Sequence, residues 1–314
     1  MLRVFTLRRG IVASAVVLAL TRPAPAVAQD FSAWSAPVNL GPVVNSASTD
    51  GCPSIAKSEL TLFFASNRPG GYGGLDIWVA QRDSEYDPWG LPMNAGPAIN
   101  GPGNELCPTL AINGHHLFLV SDRPGGCGMQ DLYVAWRRNK RDDFGWEAPE
   151  NLGCEVNSPS HDFTPSLLED EVTGETVLYF SSNRPGGPGG TDIYSSVLDP
   201  SGTFGLAAID LYLNTSLDDQ RPNVRKDGLE IFFDSNRPDG QGSSDLWTST
   251  RTSTTDPWSA PVNLGAGVNS TVVEGRPFLS FDGRTLYFMS SRPGGSGGID
   301  LYVTTRTKTR GSQP

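Results

Sequence analysis

The chain has 314 residues, 37% of them hydrophobic, with 24 basic and 34 acidic side chains and a formal net charge of −10. That balance argues against nucleic acid or an anionic lipid surface as partner. The 36 Gly and 25 Pro fall mostly in recurring turns, so they speak for β-turn chemistry and against a disordered chain.

In chain order, residues 1–28 come first and read as a secretory signal peptide. Arg3, Arg8 and Arg9 precede the short apolar run IVASAVVLAL, and Ala26-Val27-Ala28 supplies a small-x-small cleavage pattern before Gln29. Removing this segment takes away four arginines and no acid, which leaves a net charge of −14. No cysteine stands directly after the expected cut, against a lipid anchor, and no later apolar run reaches membrane-spanning length. A periplasmic or secreted, monomeric protein is expected.

From Trp34 onward three phrases alternate. The first is WSAPVNLGPVVNS at Trp34, which returns at Trp89, Trp146 and Trp258, with a degenerate copy, FGLAAIDLYLNTS, from Phe204. The second is an acid three residues before a proline: Asp50/Pro53, Glu105/Pro108, Asp162/Pro165, Asp219/Pro222 and Glu274/Pro277. The third is SNRPGGYGGLDIWVA from Ser66, in which an Arg-Pro pair is followed by an Asp eight residues after the Arg. The five pairs are Arg68/Asp76, Arg123/Asp131, Arg184/Asp192, Arg237/Asp245 and Arg292/Asp300. Successive arginines are 55, 61, 53 and 55 residues apart, the regular period of a repeat architecture.

Each period contains four short apolar or alternating runs separated by turns, which is the content of a four-stranded β-propeller blade. Strand A is expected to begin at the proline, strand B to precede Arg-Pro, strand C to follow the Asp, and strand D to carry the Trp-x-x-Pro-x-Asn phrase. The chain opens on a D phrase and ends on a C strand. The fold expected is therefore all-β: a five-bladed propeller over 29–306, closed by the N-terminal strand completing the last blade, with a flexible tail at 307–314.

These phrases resemble the TolB-type, WD-like β-propeller repeat, whose units end a strand with Ser-x-Arg-x-Gly-Gly and continue Asp-Ile-Tyr/Trp. The resemblance covers 34–306. It implies a cell-envelope propeller, and it says little about function because propellers host enzymes, receptors and scaffolds alike.

The B-to-C and D-to-A loops of a propeller share one face, so the five Arg, five Asp and five further acids are expected there. A catalytic group is needed once, whereas these recur in every blade. They read as a structural lock, each Arg bridging either to the Asp of its own turn or to the acid of a D-to-A loop. Function is better sought where the repeat breaks. Just before the strand-A proline stand Cys52, Cys107, Thr164, Arg221 and Arg276, and just after it Ser54, Thr109, Ser166, Asn223 and Phe278. Arg221, Arg276, Asn223, Thr164 and His161 are the candidate binding residues.

No catalytic residue is assigned, since no Ser-His-Asp order, His-Glu-x-x-His motif or Gly-x-Ser-x-Gly elbow occurs. No metal or cofactor is expected, because zinc and calcium spacings are missing and no helix follows the Gly-rich turns. Four cysteines leave the disulfide connectivity open, with Cys107 or Cys154 as partner for Cys127. The function expected is a non-enzymatic module binding a protein segment or glycan, and the alternative is a glycoside hydrolase-like five-bladed propeller.

Overall fold

The computed structural model describes residues 31–170 and 173–309, so the expected signal peptide lies outside the described residues. Twenty strands and no helix occur among them. β1 (Val38–Asn39) precedes blade 1, formed by β2 (Asp50–Ile55), β3 (Thr61–Ser66), β4 (Asp76–Gln81) and β5 (Met93–Asn94). Blade 2 comprises β6 (Glu105–Leu110), β7 (His116–Ser121), β8 (Asp131–Trp136) and β9 (Glu150–Asn151). Blade 3 comprises β10 (Asp162–Glu169), β11 (Thr176–Ser182), β12 (Asp192–Val197) and β13 (Ala208–Ile209). Blade 4 is β14 (Asp219–Val224), β15 (Glu230–Ser235), β16 (Asp245–Thr250) and β17 (Val262–Asn263).

Blade 5 contains β18 (Glu274–Leu279), β19 (Thr285–Ser290) and β20 (Asp300–Thr305), and β1 is its fourth strand. Val38 pairs with Val303 and Asn39 with Tyr302, so the first strand of the chain covers the last edge, as the phrase order requires. Pairing runs on past Arg306 into the segment expected to be a tail. Phe31 bridges Lys308, and the Ser32 amide donates to the Thr307 carbonyl over 2.9 Å.

Two strand boundaries differ from expectation. The innermost strands start at the acid, three residues before the proline, because the acid's amide is already bonded to the preceding blade, as Asp50 N to Ile299 O at 3.0 Å. A bulge then admits the proline. The residue before it takes a left-handed φ in all five blades: 52° at Cys52, 45° at Cys107, 53° at Thr164, 59° at Arg221 and 54° at Arg276. The outermost strands shrink to two residues each. After those two, Asn39 turns the chain by accepting the Gly41 amide at 2.8 Å.

The core lies between blades. The aromatic that opens each D phrase wedges against the preceding blade, as Trp34 on Phe232, Trp146 on Phe63 and Phe204 on Phe118. Four of these aromatics carry an arginine on their face: Arg82 on Trp89, Arg137 on Trp146, Arg251 on Trp258 and Arg306 on Trp34, all within 4.5 Å of the ring centre. Each of these arginines also donates its Nε to a carbonyl in an A-to-B turn, at 2.6–2.8 Å. Blade 3 has Leu198 and Phe204 in these roles instead.

Candidate functional site

The repeated arginine finds its partner in the acid of the D-to-A loop, and the Asp eight residues on does something else. Arg68 Nη2 lies 2.6 Å from Asp50 and 2.6 Å from the Val44 carbonyl, while its Nε donates to Ser66. Arg123 pairs with Glu105, Arg184 with Asp162, Arg237 with Asp219 and Arg292 with Glu274 in the same way. All five acids are fully buried. Asp76 folds the Gly-rich turn instead, accepting the Tyr72 and Gly73 amides and the Asn94 side chain. A Cβ on Gly71 would stand 2.3 Å from Asp76 Oδ2, so that turn position requires glycine. Asp131, Asp245 and Asp300 accept turn amides in the same way, and Asp192 accepts Gly189.

The throat of the ring is closed. Ser54 Oγ accepts the Leu110 amide, Thr109 Oγ1 donates to the Pro165 carbonyl, Ser166 Oγ accepts the Val224 amide and Asn223 Oδ1 accepts the Leu279 amide. These four bonds tie blades 1 to 2, 2 to 3, 3 to 4 and 4 to 5, and leave small cavities of about 10 and 40 Å³ beside them, the smaller with room for no more than one water. Asn223 and Thr164 belong to this throat, where Thr164 Oγ1 stands 3.5 Å from Cys107 Sγ. His161 stays on the rim, with its amide donating to Asn183 Oδ1 and its backbone bridging Gln130.

The mouth above the throat is asymmetric. On one side a Cys52–Cys107 disulfide joins blades 1 and 2, and Leu106 and Phe163 pack over it. A second disulfide, Cys127–Cys154, ties the Gly-rich turn of blade 2 to the loop leaving the same blade. On the other side, between blades 4, 5 and 1, a cavity of about 390 Å³ opens, lined by Arg221 and Arg276.

Space for it comes from sequence. The residue after each strand-A acid is Gly51, Leu106, Phe163, Gln220 and Gly275; Gly51 lines the cavity, and Gly275 lies against Arg221 and Asp234. A Cβ on Gly51 would lie 3.5 Å from Arg276 Nη1, and one on Gly275 would lie 3.1 Å from Arg221 Nη1.

Arg221 is not free. Its Nη1 lies 2.7 Å from Asp234, a fully buried carboxylate that also accepts the Arg276 amide at 2.9 Å and Ser244 Oγ at 3.2 Å. Desolvation pushes the Asp234 carboxyl above its usual range, and Arg221 and the Arg276 amide oppose that shift. Arg276 has no carboxylate on its side chain, and its Nη1 rests 2.7 Å from the Cys52 sulfur. Burial first, and Arg221 second, pull this guanidinium down to about 9. The Nε atoms of both arginines are buried without a hydrogen-bond partner.

Sequence reasoning found both arginines and missed Asp234. Its signal was available, since the penultimate residue of strand B is Ala65, Val120, Ser181, Asp234 and Met289, with an acid in one blade only.

A cavity of about 1000 Å³ lies between the other ends of blades 1 and 2. It is an open groove whose buried charges are already satisfied, Asp143 taking Arg137, Thr61 and Gln81. Among the described residues no cluster of His, Cys, Asp and Glu could hold a metal ion, and no helix is long and apolar enough to cross a membrane.

No protein-family model matches the chain, and no curated protein matches its sequence. Solved structures do share its fold. The catalytic domain of a GH62 α-L-arabinofuranosidase from Coprinopsis cinerea superposes with a TM-score of 0.60 at 16% identity, over 88% of this chain and 97% of that one. An α-L-arabinofuranosidase from Lactobacillus brevis gives 0.58 at 12%, over 86% and 93%. A putative TolB from Agrobacterium tumefaciens gives 0.51 at 12%, over 90% and 99%, and TolB from Acinetobacter baumannii gives 0.50 at 13%, over 84% and 56%. The chain is a five-bladed β-propeller, a fold it shares with TolB and with glycoside hydrolases.

Proposed function

We propose that the chain is an exported, non-enzymatic binding module of the cell envelope that takes a protein segment or a glycan at its loop-rich face. The observation that carries this reading is the use made of the carboxylates. Glycoside hydrolysis needs two acids placed unequally about a pocket, roughly 5–10 Å apart and free to meet the sugar. Here the five acids nearest the axis are fully buried, each held by an arginine of its own blade. Among the described residues no carboxylate lines the mouth cavity itself, and Asp234 behind it is buried and taken by Arg221, Ser244 and a backbone amide. Such a face can bind without turning over.

Export is supported by the charged, apolar, small-residue order of 1–28 and by the pairing of all four cysteines, which suits an oxidising compartment. A glycan array and a peptide display library, run beside arabinofuranoside and arabinan substrates, test the reading. A saturable ligand with no hydrolysis is expected. Turnover of any glycoside, lost on mutation at the mouth, overturns it.

A further inference from the structure

Two cations and one anion meet at the mouth cavity, and the mismatch is specific to this part of the ring. The five repeated arginines each have a carboxylate of their own. Asp234 is engaged by Arg221, which leaves the Arg276 guanidinium with a disulfide sulfur, a weak acceptor, as its nearest partner. A poorly solvated cation without a counter-charge is costly, so the arrangement has a place for an anion from outside.

The rest of the cavity is largely apolar, with Ala65, Leu75, Val273, Met289 and Ile299 in its walls and Thr49, Gln220 and Ser244 as its uncharged polar residues. Its volume of about 390 Å³ falls in the range of small-ligand sites, ~300–1,000 Å³. Gly51 stands where blade 2 has Leu106, and that exchange keeps the space beside Arg276 open.

We infer that this cavity recognises a monoanionic carboxylate carried on an apolar body, with Arg276 gripping the carboxylate beside Arg221. The inference rests on the binding-module reading and narrows it to one ligand chemistry. One surplus positive charge matches one carboxylate, whereas a phosphate ester brings about −1.5 to −2 and would need further donors. The planar guanidinium fork suits a carboxylate bound through both oxygens. The same chemistry is offered by a free aliphatic acid and by the C-terminal residue of a peptide with an apolar side chain.

The test is calorimetric titration of the whole protein with hexanoate, with its neutral isostere hexanamide, and with one leucine-ended peptide in free-acid and C-terminally amidated forms. Hexanoate or the free-acid peptide should bind and the uncharged partner of each should not, and which of the two binds identifies the source. Arg276→Gln should weaken binding by at least about tenfold, the loss expected for a charge-assisted pair. Gly51→Leu, which copies blade 2, should block the cavity and keep the melting temperature.

Equal binding of hexanoate and hexanamide, or of both peptides, overturns the inference, as does unchanged affinity in Arg276→Gln or Gly51→Leu. If neither carboxylate binds while a glycan or an internal peptide does, the inference falls and the binding-module reading stands. Glycoside turnover would remove the reading itself.

Discussion

Arg184 donates to Asp162 across 2.6 Å, 22 residues back along the chain, and so clamps the start of β10 to the turn that follows β11. The same guanidinium holds the Val156 carbonyl and Ser182. Arg184→Ala therefore strands a buried carboxylate, and stability should fall by about 3–5 kcal/mol, as for a broken buried pair. Asp192→Ala removes only a turn acceptor and should cost about 1–2 kcal/mol. Urea unfolding of both variants checks the order; if Asp192→Ala costs more, the turn and not the clamp holds the blade.

Arg221 and Arg276 look alike in sequence, and both would be expected to change ligand binding without changing stability. The structure separates them. Arg221→Ala leaves Asp234 buried with its cation gone, so melting should drop, whereas Arg276→Gln removes an uncompensated cation and should leave the melting temperature unchanged or higher.

The pH dependence of Arg221→Ala follows from Asp234. Its carboxyl is raised in the folded protein, so its contribution to stability is full below the unfolded carboxylate value and is lost as pH rises through the folded one. Arg221 opposes that rise, and without it the loss between acidic and neutral pH should steepen. Denaturant midpoints measured across that interval, compared with wild type, would show it; parallel curves would contradict it.

Anion binding at the mouth should hold near neutral pH and weaken as pH passes about 9, the value to which burial and then Arg221 lower the Arg276 guanidinium against the opposing pull of Asp234. Hexanoate titrations at rising pH check this, and an affinity that stays flat well beyond that point would place the grip elsewhere.

Both disulfides should be present in protein recovered from an oxidising compartment, so denatured, unreduced protein should show no reactive thiol. Cys52–Cys107 closes a separation of 55 residues and Cys127–Cys154 one of 27, and removing either should cost roughly 3–4 kcal/mol by loop entropy. Chemical denaturation of the Ser variants measures it.

Much of the fold could be read from the sequence because each blade repeats the same instructions. Five copies fixed the blade number, and the order of phrases gave the seam between Val38 and Val303. The partner of Arg68 could not be chosen in the same way. Asp50 and Asp76 both recur at near-constant separation from it, and only three-dimensional placement tells the carboxylate that meets the guanidinium from the one that folds the turn. Periodicity also hides what occurs once. Asp234 interrupts a column of Ala65, Val120, Ser181 and Met289, and its meaning depends on Arg221 and Arg276 arriving from two different blades. The four arginines stacked on D-phrase aromatics went unread for another reason. Arg306 meets Trp34 only once the ring closes, so the spacing seen at Arg82 and Trp89 is broken at the chain ends.

The seam also sets a timetable. Asn39 hydrogen-bonds Asp300 across 261 positions, and Trp34 finds its bed on Phe232. A chain delivered N-terminus first therefore carries its closing strand unpaired through the appearance of four blades, and the last edge stays open until Leu301 arrives. Completion is tied to β20 and not to any earlier blade, so a slow, late step dominated by one very long-range contact is expected. Moving the chain ends into a loop between blades would let each blade finish as it appears. Faster refolding of such a permutant, at equal final stability, would reveal the delay built into the present order.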